Sequence, residues 1–154
     1  MIPIYSYQII RTSLTVETES SVCKFLYCVT DWALCQPTIS GVALVGSHAR
    51  REARPDSDID LVLVCSDPQV FLSNTSWLSR FGEVVTCQTE DWGLVTSLRV
   101  VYRERFEVEF GITSLVWAAL PVDSGTKRVV LNGMRIHLDR DGYLARLQKA
   151  VKAS

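Results

Sequence analysis

The sequence lacks the features that mark membrane, secreted and polybasic nucleic-acid-binding proteins. No apolar stretch approaches the roughly 18 residues of a membrane span. Residues 1–10 lack the charged start and long apolar core of a signal peptide, so none is expected. The formal net charge is −1, so neither a nucleic-acid-binding tail nor a basic membrane-binding patch is indicated. We therefore expect no membrane association and find no strong signal for nucleic-acid binding.

The sequence also lacks the cysteine spacing of a metal site or a disulfide framework. Its five cysteines are odd in number and include no Cys-x-x-Cys pair, which argues against a zinc site. They are Cys23, Cys28, Cys35, Cys65 and Cys87. Their positions in apolar helix and strand segments predict small core side chains. Reduced thiols indicate a cytoplasmic location.

The length predicts one compact domain. A chain of 154 residues, 47% of them hydrophobic, is long enough to bury a sizeable core. Residues 1–15 show no amphipathic period and are predicted to be a loose N-terminal extension before a domain over 16–154. From about residue 17 to 36, apolar residues recur at helical spacing, which predicts a helix packed on a sheet and ended by Pro37.

The most informative segment begins with a glycine and a serine after a short apolar run. Residues 42–45 suit a buried strand, and Gly46 after them lets an anionic ligand approach the backbone. Ser47 is predicted to cap a helix whose free amides attract anions. Pro55 limits that helix to about two turns, because the residue before proline avoids the helical region. This turn therefore predicts a phosphate-binding site.

Two aspartates follow at the start of the next strand. Asp58 and Asp60 precede and begin an apolar run to Val64, which is typical of a central strand covered on both faces. Alternation in the strand places both carboxylates on one face, with Cα atoms about 6.6 Å apart. Such a pair is costly unless it is protonated, paired or metal-bound. Mg²⁺ carried by a triphosphate suits these ligands.

These strings carry a family resemblance. Residues 45–50 (VGSHAR) and 56–61 (DSDIDL) resemble the signature of the nucleotidyltransferase (DNA polymerase β-like) superfamily, with the spacing of its minimal single-domain members. The similarity is most evident over 32–109 and continues to 147. The resemblance implies an α/β (α+β) fold, with a mixed central sheet of about five strands and helices packed mainly on one face. It also implies metal-dependent transfer of a nucleoside monophosphate from a nucleoside triphosphate, with pyrophosphate leaving.

The superfamily uses a third carboxylate on a later strand. Residues 98–102 and 106–112 are predicted to form a hairpin in which Glu107 and Glu109 share one face. Glu109 lies between large apolar neighbours and better matches the third acid, with Glu107 as the alternative. By resemblance, the catalytic residues and ligands of two Mg²⁺ ions are Asp58, Asp60 and Glu109. The residues expected to contact the phosphates of ATP are Gly46, Ser47 and Arg50.

The acceptor is not specified by these residues. The resemblance implies a hydroxyl, either on a small molecule such as an antibiotic or on a protein side chain, as in minimal members that neutralise a toxin-like partner. A homodimer is one way to complete the acceptor site. The alternative function is a non-catalytic nucleotide-binding or partner-binding module. The presence of all three acids favours the enzyme.

Other segments give coarser expectations. A second helix is predicted from Asp67, its cap, to about residue 79, and a strand over 83–87. Residues 129–131 and 134–138 are predicted to pair across the turn Asn132-Gly133. Asp139 or Asp141 is predicted to cap a final helix. Among the tryptophans, Trp92 is the one expected near a pocket.

Overall fold

The computed structural model describes residues 21–104 and 106–154, so the predicted N-terminal extension lies outside the described residues. These residues build a six-stranded sheet with strand order β3-β4-β5-β2-β1-β6. The strands are β1 (Ile39–Val45), β2 (Ile59–Cys65), β3 (Val84–Asp91), β4 (Thr96–Tyr102), β5 (Glu107–Thr113) and β6 (Met134–Asp139). The helices are α1 (21–34), α2 (Gly46–Ala49), α3 (Gln69–Leu72), α4 (Ser124–Leu131) and α5 (Tyr143–Ala153). Short 3₁₀ helices cover Ser76–Phe81 and Leu115–Ala118.

The sheet is mixed, and β2 lies at its centre. β2 runs parallel to β5 and antiparallel to β1, and the remaining pairs are antiparallel. Five of the seven β2 residues form an unbroken buried run from Leu61 to Cys65, as its continuous apolar sequence predicts. The predicted fold class is confirmed, although the sheet has six strands rather than about five.

Helices cover both faces of the sheet, whereas the sequence predicted packing mainly on one. α1 and the segment Ser76–Phe81 pack on one face, where the indoles of Trp32 and Trp77 stack with ring centroids 5.0 Å apart. α4, α5 and Leu115–Ala118 pack on the other. The helical stripe predicted in α1 is confirmed: its buried residues are Val22, Phe25, Leu26, Val29, Trp32 and Ala33.

The predicted hairpin across Asn132-Gly133 is wrong. Residues 129–131 belong to α4, whose amides at Gly125 and Thr126 donate to the side chain of Asp123, at 3.0 and 3.2 Å. Three apolar residues are too few to distinguish a strand from a buried helix end, whereas the preceding Asp123-Ser-Gly sequence is a helix-start pattern. Asn132-Gly133 instead links α4 to β6, which pairs with β1.

Two other helix expectations had different outcomes. The helix predicted from Asp67 to residue 79 is two short pieces, α3 and Ser76–Phe81, because Asn74 Oδ1 accepts from the amide of Ser76 and favours a turn. Asp67 does accept from the amide of Gln69, at 3.2 Å. The final helix is confirmed, with the carboxylate of Asp139 accepting from two amides of its first turn, Leu144 and Ala145.

The cysteines were predicted to lie in the core, and four of them do not. Only Cys65 is buried; the other thiols lie on exposed positions of α1, the loop after it, and the edge strand β3. Each of the five is a free thiol. Apolar runs do not separate buried from exposed positions for so small a side chain.

In the described ranges, no helix has the length and apolar character needed to cross a membrane.

Candidate active site

A row of polar side chains crosses three strands at the sheet's centre. Asp60 on β2 lies opposite Glu109 on β5, and Glu109 lies opposite Arg99 on β4. Residues opposite each other in neighbouring strands project to the same face, so the three side chains meet there. Asp58 directly precedes β2, and Glu107 begins β5. The predicted acids therefore come together, and both Glu107 and Glu109 belong to the cluster.

Gly46 lies against one end of this row. Its backbone has φ +75°, a conformation that favours glycine. A side-chain carbon at this position would collide with the carboxylate of Asp60. The close approach of turn and carboxylate therefore requires glycine, and it holds the start of α2 beside Asp60.

The turn after Gly46 is shorter than predicted. α2 spans four residues rather than about two turns, its N-cap position is Val45, and no side chain caps it. Ser47 therefore lies inside the turn and is not its cap. Arg51 adopts φ 60°, a left-handed conformation that ends the helix before Pro55 is reached. The amide of Glu52 then donates to the carbonyl of Ser47, at 3.0 Å.

Arg50 anchors this turn to the loop between α4 and β6. Its Nη1 donates to the carbonyl oxygen of Asn132 at 3.0 Å, and its Nε pairs with Glu52 at 3.1 Å. Gly133, at φ +120°, leaves room for the Arg50 side chain. An open cleft is lined by the predicted phosphate-binding and acidic residues together with Asp56 and Ser57. The predicted residues in this cleft are Gly46, Ser47, Arg50, Asp58 and Asp60.

Arg99 is the residue of this site that the sequence analysis missed. Its Nη1 lies 3.3 Å from Asp58 Oδ2 and 3.4 Å from Glu107 Oε1, and its Nη2 lies 3.7 Å from Glu109 Oε2. Its Nε donates to Glu90 Oε1 at 3.0 Å. The predicted hairpin places residue 99 near Glu107 and Glu109 only once the register of its two strands is known, and the local sequence does not give that register.

Ser97 was also missed. Its hydroxyl donates to Glu109 Oε1 at 2.7 Å, and its side chain is buried beneath the acid row. A buried hydroxyl bonded to one carboxylate oxygen fixes the orientation of that carboxylate. Ser97 and Arg99 are two residues apart on β4, so their side chains project from the same face of the sheet.

The crowded acids have perturbed protonation. Burial, followed by repulsion from Glu109 and Asp58, raises the pKa of Asp60 to about 7, and Arg99 opposes that rise. Burial also raises the pKa of Asp58, with further contributions from Glu107. At Asp60, repulsion from the neighbouring carboxylates raises the pKa more than the guanidinium of Arg99 lowers it. Such a site gains from an additional cation.

The donor atoms suit a hard divalent cation. Carboxylate oxygens are the ligands that Mg²⁺ prefers, and the glycine beside Asp60 leaves its carboxylate open to the cleft. Within residues 21–104 and 106–154, however, no set of three or more His, Cys, Asp or Glu side chains is arranged as a ready metal site. Asp58, Asp60 and Glu109 therefore fit Mg²⁺ in chemistry, with Arg99 in contact with two of the three.

A cavity of about 420 Å³ opens beside the acid row. Asp60, Glu109 and Ser97 lie on one side of it, and Arg128 of α4 also lines it. Its apolar lining includes Leu94, Val95, Trp117 and Val129. Trp92, 63% exposed, lies at its rim, in agreement with its predicted position near a pocket. Trp117, which was not expected there, lines the same cavity.

Comparison with known proteins identifies a matching family. The family model described as streptomycin adenylyltransferase matches residues 20–152. No curated protein matches the chain. Among solved structures, the chain is similar to an aminoglycoside 6-adenyltransferase from Bacillus subtilis, with 18% sequence identity and a TM-score of 0.48. That match covers 61% of this chain but only 36% of the enzyme's chain.

Proposed function

The chain belongs to the streptomycin adenylyltransferase family of nucleotidyltransferases, and from this premise we propose that it transfers AMP from ATP to a hydroxyl group of a small molecule. The observation that carries this proposal is the alignment of Asp60 with Glu109 across β2 and β5, beside the glycine turn. A nucleotidyltransferase needs a place for the triphosphate and carboxylates beside it. We propose that the glycine turn provides the first and that Asp60 and Glu109 provide the second.

The reaction is a displacement at the α-phosphorus of ATP. The acceptor oxygen forms a bond to that phosphorus, the bond to the bridging oxygen breaks, and pyrophosphate leaves with the bonding electrons. Mg²⁺, when bound, would neutralise charge on the phosphates and polarise them toward attack. We assign Asp58 and Asp60 as its ligands. The acceptor proton passes to a carboxylate of the row, and Glu109, oriented by Ser97, is our choice.

The phosphates are proposed to lie in the cleft beside α2. Gly46 permits close approach of an anion to the backbone, and Ser47 supplies a hydroxyl and an amide. Arg50 lines the same cleft and places a fixed positive charge there, because its guanidinium is bound to the Asn132 carbonyl. We propose that this charge stabilises the departing pyrophosphate.

The adenosine moiety is proposed to occupy the cavity beside the acids. Its apolar lining suits a base and its volume of about 420 Å³ is in the range of small-molecule sites. Trp92 at the rim offers a face for stacking. Arg128, on the same lining, is available to a polar edge of the nucleotide.

The family favours a small-molecule acceptor over a protein side chain. The matched family is described by its action on streptomycin, an antibiotic, and we propose an antibiotic hydroxyl as the acceptor of this chain. A toxin-like protein partner and a homodimer remain predictions of the sequence. So does a cytoplasmic location, which is supported by five free thiols.

The test is a direct transfer assay. Purified protein, Mg²⁺ and ATP labelled in the α-phosphate would be incubated with streptomycin and other aminoglycosides, and labelled product and pyrophosphate would be measured. We expect transfer by the wild type and its loss in Asp60→Asn. Asp31→Asn, which changes an exposed acid of α1, is the matched control and should keep the wild-type rate. ATP binding without any transfer across the panel would favour the non-catalytic alternative.

A further inference from the structure

We propose that Arg99 takes the place of a second metal ion, so that this chain works with one divalent cation and one guanidinium at its acid row. This inference rests on the proposed function and concerns the same site. It replaces the expectation, drawn from the sequence, of two Mg²⁺ ions. Arg99 is here a positioning and charge-compensating residue, acting through the carboxylates that it contacts.

The contacts of Arg99 involve the oxygens that a second ion would need. The second ion implied by the family resemblance would be held by Glu109 together with Asp58 or Asp60. In the structure, Asp58 Oδ2 lies 3.3 Å from Nη1 of Arg99, and Glu109 Oε2 lies 3.7 Å from Nη2. The second oxygen of Glu109 accepts from Ser97. A guanidinium is therefore already seated between these carboxylates.

Arg99 is held from both sides. On the side away from Asp58, its Nε donates to Glu90 on β3 at 3.0 Å. Its backbone lies between β3 and β5, in register with Gln88 and Glu109. An arginine fixed by a strand on each side cannot leave without breaking its pair with Glu90. The positive charge is permanent, because guanidinium does not lose its proton in proteins.

The opposite end of the row remains available to a cation. Within the described ranges, Arg99 forms ion pairs with Asp58, Glu90, Glu107 and Glu109, but not with Asp60. Asp60 faces the glycine turn and the cleft. Four carboxylates therefore contact one guanidinium, and Asp60 adds a fifth carboxylate to the row. One divalent ion at Asp60 and Asp58 reduces this excess of negative charge. A second ion between Asp58 and Glu109 would lie against the guanidinium of Arg99, which would repel it.

The experiment counts bound ions. Mn²⁺ would be titrated into the protein in the presence of an ATP analogue with a methylene group between the α- and β-phosphorus atoms, which blocks transfer. Free Mn²⁺ would be measured by electron paramagnetic resonance, with the analogue alone as a blank. The variants are Arg99→Gln, Arg99→Met and Arg99→Lys. Arg103→Gln is the matched control, since Arg103 pairs with Glu83 on the surface, away from the row.

We expect one Mn²⁺ per chain for the wild type, Arg99→Lys and Arg103→Gln, because each keeps a positive charge at residue 99. We expect two for Arg99→Gln and for Arg99→Met, whose neutral side chains leave Asp58 and Glu109 to a second ion. Circular dichroism identifies variants that fold. If neither neutral variant folds, the ion count on the wild type still decides, because two ions there would overturn the inference.

Three results would contradict this inference or its premise. Two ions on the wild type would overturn the inference while leaving the proposed function intact. One ion on a folded neutral variant would overturn it in the same way. No ion on the wild type, with or without nucleotide, would contradict the metal-dependent function itself.

Discussion

The carboxylates of Asp60 and Glu109 face each other across two parallel strands that are far apart in sequence. Parallel pairing requires a crossover, and β3 and β4 lie in that crossover while extending the sheet beyond β5. The same chain segment that brings Glu109 to Asp60 therefore also delivers Arg99 and Ser97 to the row. The crossover from β2 to β5 therefore positions both Glu109 and the residues that orient it.

Gly46→Ala is predicted to remove activity through a steric clash with Asp60. Alanine at φ +75° also carries a backbone cost of about 1–2 kcal/mol, so both effects must be separated. Gly142→Ala is the matched control: Gly142, before α5 and outside the cavity lining, has φ +78°, and no described atom lies within 4 Å of an added side-chain carbon. Thermal unfolding should show similar losses of stability for both variants. The transfer rate should fall at least about tenfold only in Gly46→Ala; equal rates in the two variants would contradict the role of the close approach.

Ser97→Ala is predicted to slow transfer about tenfold, since Glu109 loses the donor that orients it. The stability loss should be about 1.5–3 kcal/mol, the range for a hydrogen bond to a charged group. Ser40→Ala, which removes a hydroxyl bonded to the Val64 carbonyl on the same sheet, is the control. Steady-state rates and urea unfolding would be measured together. A rate loss in Ser40→Ala equal to that in Ser97→Ala would show that the effect is not specific to Glu109.

The sequence allowed the acids to be predicted because each lies in a strong local pattern. Asp58 and Asp60 begin an unbroken apolar strand, and Glu109 lies in an alternating hairpin, so side-chain direction follows from strand geometry alone. Arg99 and Ser97 could not be assigned in the same way. Their roles depend on the register of β4 against β5, and a shift by one residue would move both to the opposite face.

The errors in the fold have a similar origin. α4 was predicted as a strand because three apolar residues before Asn132-Gly133 match a hairpin as well as a helix end. The deciding evidence is its capping by Asp123, together with pairing of β6 to β1 rather than to its sequence neighbour. Long-range pairing of this kind has no local signal. By contrast, α1 was correctly predicted, since its stripe of six buried residues is a local pattern.

Trp92→Ala is predicted to weaken nucleotide binding without destabilising the fold. Trp92 is 63% exposed at the cavity rim, so its removal leaves the core intact, and loss of a stacking face should raise the KM for ATP several-fold. Trp77→Ala is the contrast, because Trp77 is buried against Trp32 and its removal should cost about 3–5 kcal/mol. Unfolding curves and ATP kinetics distinguish the two outcomes. An unchanged KM in Trp92→Ala would exclude stacking at this residue.

Asp60→Asn is predicted to stabilise the metal-free protein above neutral pH, although it abolishes transfer. The folded-state pKa of Asp60, about 7, lies above its ordinary value of 3.8, so the folded protein binds more protons than the unfolded chain between these values. Stability is therefore full below the ordinary value and falls as pH rises through the folded pKa. Amide substitution removes that loss, which we expect to be about 2–4 kcal/mol at pH 8.

The measurement is the free energy of unfolding in urea from pH 5 to 8 with a chelator present. The difference between Asp60→Asn and the wild type should grow as the pH rises, and Asp31→Asn should show no such trend. Adding Mg²⁺ should stabilise the wild type at pH 8 more than the variant, because the ion relieves the repulsion that the variant no longer has. A variant less stable than the wild type throughout this range would mean that Asp60 is already compensated in the folded chain, and the case for a cation at this carboxylate would fail.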